Sequence, residues 1–336
     1  MKQIILGIHG LGNKPSQELL KEWWKNSIHE GMERNGKNKF PIPFDMVYWA
    51  DEIYSEPLNP LINDKDDPLF LNEHYTKGSL EEERDRNSLR IKMLSYIEEQ
   101  IDKIFLNDDM SINFKNVTDK LIYHFYLDLE TYYGENCASV KNPECSAREM
   151  IQNRLINKLE QYKDYKVLLI AHSMGSIIAF DVLSNLKNDL SVNTFVTIGS
   201  PLGFPVIVGR AFAEQKKKDH RIKKPHAPES ILEKWFNMSD IEDKVALDHT
   251  LSDDYGENSK GLLAEDVLVY NDYDMDGKKN PHKSFGYLRT PEMSSVIDGF
   301  LAKSIRERVY QGYKYSANRI SSAIKYIRNI LKRYIK

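Results

Sequence analysis

The residues best placed to do chemistry are Ala171-His172-Ser173-Met174-Gly175. A serine stands there between small residues, at the point where a short apolar run, Val167 to Ile170, gives way to helix spacing. The run has the length of a strand buried on both faces. With almost no loop between strand and helix, the serine is expected in a strained backbone conformation, and only small side chains fit two positions to either side. Its hydroxyl would stand clear of the sheet's carboxyl edge, beside the positive end of the helix. The plain alternative is a buried serine in a strand-to-helix connection.

A second group follows the first predicted strand, Ile4 to Ile8: His9-Gly10-Leu11-Gly12-Asn13, whose two glycines permit a tight turn close to a ligand. A phosphate-binding turn is the alternative there, but neither G-x-x-x-x-G-K-[ST] nor G-x-G-x-x-G supports it. Two carboxylates, Asp240 and Asp243, close a predicted strand that begins at Glu233. His282 lies beyond the last predicted strand, within Leu263 to Tyr270, and before a helix announced by Thr290, Pro291 and Glu292. Between them Asp272 to Gly277 copies the first half of a calcium loop, D-x-D-x-D-G. Its twelfth position is Lys283 where a bidentate glutamate is needed, so a solvated acidic turn is the default expectation.

Taken together these motifs resemble the α/β-hydrolase superfamily, the esterase- and lipase-like serine hydrolases. The pentapeptide around Ser173 is similar to the nucleophile elbow G-x-S-x-G, with Ala171 in place of the first glycine, and H-G-x-G resembles the oxyanion loop of lipases and esterases. The resemblance covers Lys2 to Ala50 and Ser146 to about Gln311, and the opening Gly-Ile-His-Gly-Leu-Gly-Asn-Lys-Pro looks like a bacterial branch from which no substrate follows.

The resemblance implies Ser173 as nucleophile, Asp243 as the acid of a triad with Asp240 second, and His282 as general base with His249 as runner-up. The backbone N–H groups of Leu11 and Met174 would bind the oxyanion. His9, Gly10, Gly12, His172 and Gly175 are supporting parts of their motifs. Ser200, in Gly199-Ser200-Pro201-Leu202, is expected to be structural. No cofactor is implied. The implied substrate is a small-molecule or lipid ester cleaved through an acyl-enzyme. An acyltransferase or thioesterase with the same triad is the alternative, as is a catalytically silent scaffold at a membrane or protein surface.

The elements that must position these residues read as an α/β fold. A mostly parallel sheet of about six strands is flanked by helices, with a helical insertion and an extra C-terminal helix. Residues 1–50 and 136–312 make the core. Strands are predicted at Ile4–Ile8, Phe44–Trp49, Val167–Ile170 and Val192–Ile198 besides those named, with helices opening at Ser16 and at Ser146, where Glu149 completes capping-box spacing. Residues 51–135 carry 20 acidic against 9 basic side chains. They read as a mostly helical cap over the site or as a decoration elsewhere on the sheet. His74 and His124 within them read as surface or packing residues.

The stretch from Arg210 to Lys224, with seven Lys and Arg, reads as a solvated loop or a short second lid segment. Residues 313–336 are expected to form a basic amphipathic helix, and from Lys303 onward there are ten basic residues and one acid. Its apolar stripe suits docking on the acidic insertion, self-association or peripheral membrane contact.

The 336 residues carry a net charge of −3, which argues against general nucleic-acid binding. No apolar run reaches membrane-spanning length, and the opening strand does not read as a secretory signal. Two cysteines, Cys137 and Cys145, are then expected to be reduced, in a cytoplasmic protein.

Overall fold

A computed structural model describes residues 2–37, 41–78, 129, 132–134, 146–186, 190–246 and 248–302. Six strands form one sheet in the order β2-β1-β3-β4-β5-β6, and every neighbouring pair is parallel. They are β1 (Lys2–Ile8), β2 (Phe44–Val47), β3 (Tyr165–His172), β4 (Val192–Ile198), β5 (Ile231–Ser239) and β6 (Ala264–Leu268).

Parallel strands need crossovers, and here these place helices over both faces, so the inner strands have no wet side. That is why β1 and β3 are apolar at successive positions. Leu6, Ile8, Leu169 and Ala171 enter the core on one face. Ile5, Leu168 and Ile170 enter the core on the other. Each such aliphatic side chain, fully buried, contributes about 1.5–3 kcal/mol. Helix Gln17–Arg34 brings Leu20, Trp24 and Ile28 to the second face, with the helical residues 291–302 alongside. Helices Ala147–Gln161 and Met174–Asn185 cover the first. Ser16 and Ser146 cap their helices by accepting from Leu19 N–H and Glu149 N–H.

The strand order places the site. From β1 the chain builds outward to β2, then returns across β1 to start β3 and builds the other way. The connections after β1 and β3 therefore diverge to opposite faces and leave a crevice at the strands' carboxyl ends, where open α/β sheets bind ligands. His9 and Ser173 lie at these two ends.

Three details differ from the sequence reading. β2 stops at Val47 rather than Trp49, because the Trp49 N–H is donated to His9 Nε2 at 3.1 Å and leaves the ladder. The basic stretch after Arg210 is not a loop at its start: Pro205–Lys218 is a helix, with Pro205 in its first turn and Val206, Ile207 and Ala211 buried. Counting lysines there obscured a short apolar stripe. Residues 274–279 form a hairpin where a turn is expected, β7 (Asp274–Met275) against β8 (Lys278–Lys279), with positive φ at both Asp276 and Gly277 as a tight hairpin turn requires.

Of the acidic insertion, 51–78, 129 and 132–134 are described. The rest of that insertion, His124, the two cysteines and the basic tail after residue 302 lie outside the described residues. Among the described residues no helix is long and apolar enough to cross a membrane.

Candidate active site

Ser173 joins β3 to helix Met174–Asn185 with φ 52° and ψ −129°. A left-handed φ on a residue with a Cβ costs on the order of 1–3 kcal/mol, so the surroundings must impose it. They do so through the Ser173 N–H, donated to Ile198 O at 3.1 Å, and through the Ser173 carbonyl, which accepts from Ser176 N at 2.8 Å and Ser176 Oγ at 2.5 Å. Ser200 stands behind this turn, its hydroxyl 2.7 Å from that of Ser176.

Glycine is required on both sides by close approach. A Cβ on Gly175 would meet His9 O at 2.6 Å, and one on Gly10 would meet Ser173 Cβ at 2.7 Å. The turns after β1 and β3 are thus packed backbone to backbone.

His282 Nε2 lies 3.0 Å from Ser173 Oγ, and His282 Nδ1 lies 2.9 and 3.0 Å from the two oxygens of Asp243. Asp243 is fully buried, and the rest of its surroundings donate to it: Val245 N at 2.9 Å and Tyr287 Oη at 2.7 Å. An acceptor-only carboxylate puts the imidazole proton on Nδ1 and leaves Nε2 free to accept from the serine. Gly199, at φ 53°, lets the backbone pass this cluster, since a Cβ there would stand 2.8 Å from Asp243 Oδ2.

The loop bearing His282 is held from several directions. His172 Nε2 donates to His282 O at 2.7 Å, and Asn271 Nδ2 donates to Pro281 O and Lys283 O at 2.7 and 2.8 Å. Burial, then the neighbouring His282, holds the His172 pKa well below its ordinary value, which keeps the ring neutral.

The runners-up are elsewhere. Asp240 accepts from Asn271 N at 2.6 Å and Glu242 N at 2.8 Å, and burial raises its pKa to about 6. It supports the loops around the site and has no bond to His282. His249 is buried with neither ring nitrogen hydrogen-bonded, and it makes no bond to Ser173. Asp272, first residue of the calcium-like motif, is taken up by Arg34 and Arg289.

On the β1 side, His9 is buried and stacked on Trp49, with ring centroids 4.7 Å apart. Because Nε2 accepts from Trp49 N–H, the proton sits on Nδ1, which donates to Gly10 O at 2.8 Å. Burial and then Lys14 lower its pKa to about 3, against the opposing Gly10 bond, so this tautomer persists. Fixing the Gly10 carbonyl fixes the whole trans peptide, and with it the opposite direction of the Leu11 N–H. Lys14 Nζ donates to the carbonyls of Leu11 and, at 3.1 Å, Gly12. Met174 is the first residue of the elbow helix, among the N–H groups that lack partners within the helix.

Above Ser173 lies a cavity of about 380 Å³. Leu20, Trp23, Leu58, Leu71 and Phe285 give it an apolar wall.

Comparison with known families, curated proteins and solved structures finds no match for this chain. The site therefore has to be read from its own geometry. Ser173, Asp243 and His282 come together, Leu11 lines the same cavity as Ser173, and Met174 follows Ser173 in the chain. Sequence reasoning did not find Tyr287, Asn271, Lys14 or the role of His9 as a peptide clamp. Only the acidic stretch Asp272 to Gly277 before His282 carried any local signal of a turn.

Proposed function

We propose that this protein is a serine hydrolase of the α/β-hydrolase type, cleaving a carboxylic ester through an acyl-enzyme on Ser173. The observation that carries the reading is a hydroxyl, an imidazole and a buried carboxylate, from three separate connections, joined by contacts of 3.0 and 2.9 Å.

In the first step Ser173 Oγ attacks the ester carbonyl carbon while its proton passes to His282 Nε2. The imidazolium is stabilised by Asp243 at Nδ1. The former carbonyl oxygen takes the negative charge beside the N–H groups of Leu11 and Met174, an arrangement in which one donor is worth about 2.7–4 kcal/mol of barrier. The tetrahedral adduct collapses, the alkoxide leaves with the proton from His282, and the acyl group remains on Ser173. A water then repeats the sequence, giving its proton to His282 and releasing the acid. The apolar cavity wall suits an acyl or aryl group.

An alcohol or amine acceptor in place of water would make the same site an acyltransferase, and a thiol leaving group would make it a thioesterase. A fluorophosphonate probe tests the common step. Labelling of the native chain at Ser173, lost in Ser173→Ala and in His282→Ala, is the expected result. A chain that stays unlabelled while it still hydrolyses no p-nitrophenyl ester is the result expected of a silent scaffold.

A further inference from the structure

The segment after β2 contributes Tyr54, Leu58, Leu71, Asn72 and Glu73 to the lining of the cavity. It is tied at both ends. Near its start, Leu58 N donates to Lys14 O and Asn13 Nδ2 donates to Glu56 O, each at 2.8 Å. These bonds join it to the turn after β1.

At its far end stands Glu73. Its Oε1 accepts from Asn280 Nδ2 at 2.8 Å and its Oε2 from Lys283 Nζ at 2.6 Å. These two partners flank His282 in the chain. Asn280 then turns its other amide atom inward, so that Oδ1 accepts the His282 N–H at 3.1 Å. One carboxylate thus grips the base's loop on both sides, once through a side chain that itself holds the histidine backbone.

Past Glu73 the strap is anchored and not free to swing. Tyr273 Oη donates to His74 O at 2.6 Å, Tyr75 Oη to Glu30 at 2.8 Å, and Arg289 to Thr76 O at 2.6 Å. Burial works against ionisation of Glu73, but the charge and hydrogen bond of Lys283 outweigh it and keep its pKa below the ordinary carboxylate value.

We propose that Glu73 is a positioning residue for the reaction on Ser173, holding His282 in line through Asn280 and Lys283. This rests on the serine-hydrolase reading of the same site. Glu73 touches no reacting atom, yet the strap that lines the cavity and the base that lines it too become one mechanical unit.

A purely structural role predicts something different. The Glu73 and Lys283 side chains are each about a quarter exposed, 24% and 25%. Such an ion pair contributes little to stability. A base displaced by even 1 Å, in contrast, can cost up to about a hundredfold in rate.

The test uses the full chain and p-nitrophenyl butyrate. Glu73→Ala is expected to lower kcat about tenfold, with KM within twofold and the thermal midpoint nearly unchanged. Glu73→Gln retains an acceptor for Asn280 and should recover most of that loss. A kcat for Glu73→Ala within twofold of the native value overturns the proposal. So does a parallel fall of kcat and thermal midpoint that Gln does not repair.

A second readout needs no turnover: the downfield proton NMR signal of His282 Nδ1–H, assigned by its loss in His282→Ala. It should broaden or vanish in Glu73→Ala, and an unaltered signal counts against Glu73. If the native chain neither labels at Ser173 nor shows this signal, the hydrolase reading fails instead, independently of Glu73.

Discussion

Ser173 and His282, the proposed nucleophile and base, are placed by different means. Ser173 is placed by backbone: a strand, a helix, a left-handed φ and Gly175 lie within a few residues of it, and Gly10 lets the turn after β1 close against it. His282 is placed by side chains: Asp243 and His172 reach it from far along the chain, and Asn271 holds its loop from nearer by. Backbone placement is stiff and local, and one wrong methyl group breaks it. Side-chain placement is divided among several bonds, so each removal should weaken it in part. The contrast makes the two halves of the site separable by mutation.

The largest effect is expected at the reacting atoms. Ser173→Ala and His282→Ala should each lower kcat by about four orders of magnitude or more, and the double variant by little beyond either single, as for residues acting as one unit. Ester hydrolysis and burst kinetics measure this. Losses that multiply would mean the two do not share a step.

Next comes the stiff half. Gly175→Ala pushes a Cβ to 2.6 Å from a backbone oxygen, and no flexible side chain can yield. A loss of about 1–3 kcal/mol in stability is expected, with most of the activity, measured by denaturant titration alongside turnover. The same substitution tolerated at full activity would show that the close approach does not fix the elbow.

The soft half should respond less. Tyr287→Phe removes one donor from Asp243 and leaves the buried Asp240 N–H without its acceptor. About 1–3 kcal/mol of stability and a several-fold fall in kcat are expected, with Ser173 still open to a fluorophosphonate.

The smallest effect distinguishes the two halves by pH. His9 has a folded pKa near 3, far below its unfolded value of about 6.5. Between those values the unfolded chain binds a proton that the folded chain does not, so stability falls as pH drops through this window. The slope from this one group is about 1.4 kcal/mol per pH unit. His9→Phe should reduce the slope between pH 6 and 4.5 by one proton, whatever it does to absolute stability. An unchanged slope would mean His9 is already charged, or exposed, at these pH values.

The same contrast decides what could be read from the sequence. The parallel sheet was legible because strands buried on both faces must be apolar at successive positions, as Val167 to Ala171 are. The elbow was legible because its requirements are local. Asp243 is preferred to Asp240 in the sequence only through the resemblance: they stand three residues apart after the same strand, and the fold turns one to His282 and the other to backbone N–H groups. Tyr287 was invisible for a related reason, since its value lies in a partner 44 residues away. Of the basic stretch 210–224, the part up to Lys218 is helical and not loop, which the sequence hides because its charge is conspicuous and its apolar stripe is short.

The central claim, that Ser173 carries the acyl group, is tested most directly by mass spectrometry of the chain quenched in acid during turnover of p-nitrophenyl butyrate. The account predicts a mass increase of one butyryl group on the peptide containing Ser173, absent from Ser173→Ala. Hydrolysis with no such adduct in chain whose deacylation has been slowed, or an adduct on another residue, would contradict it.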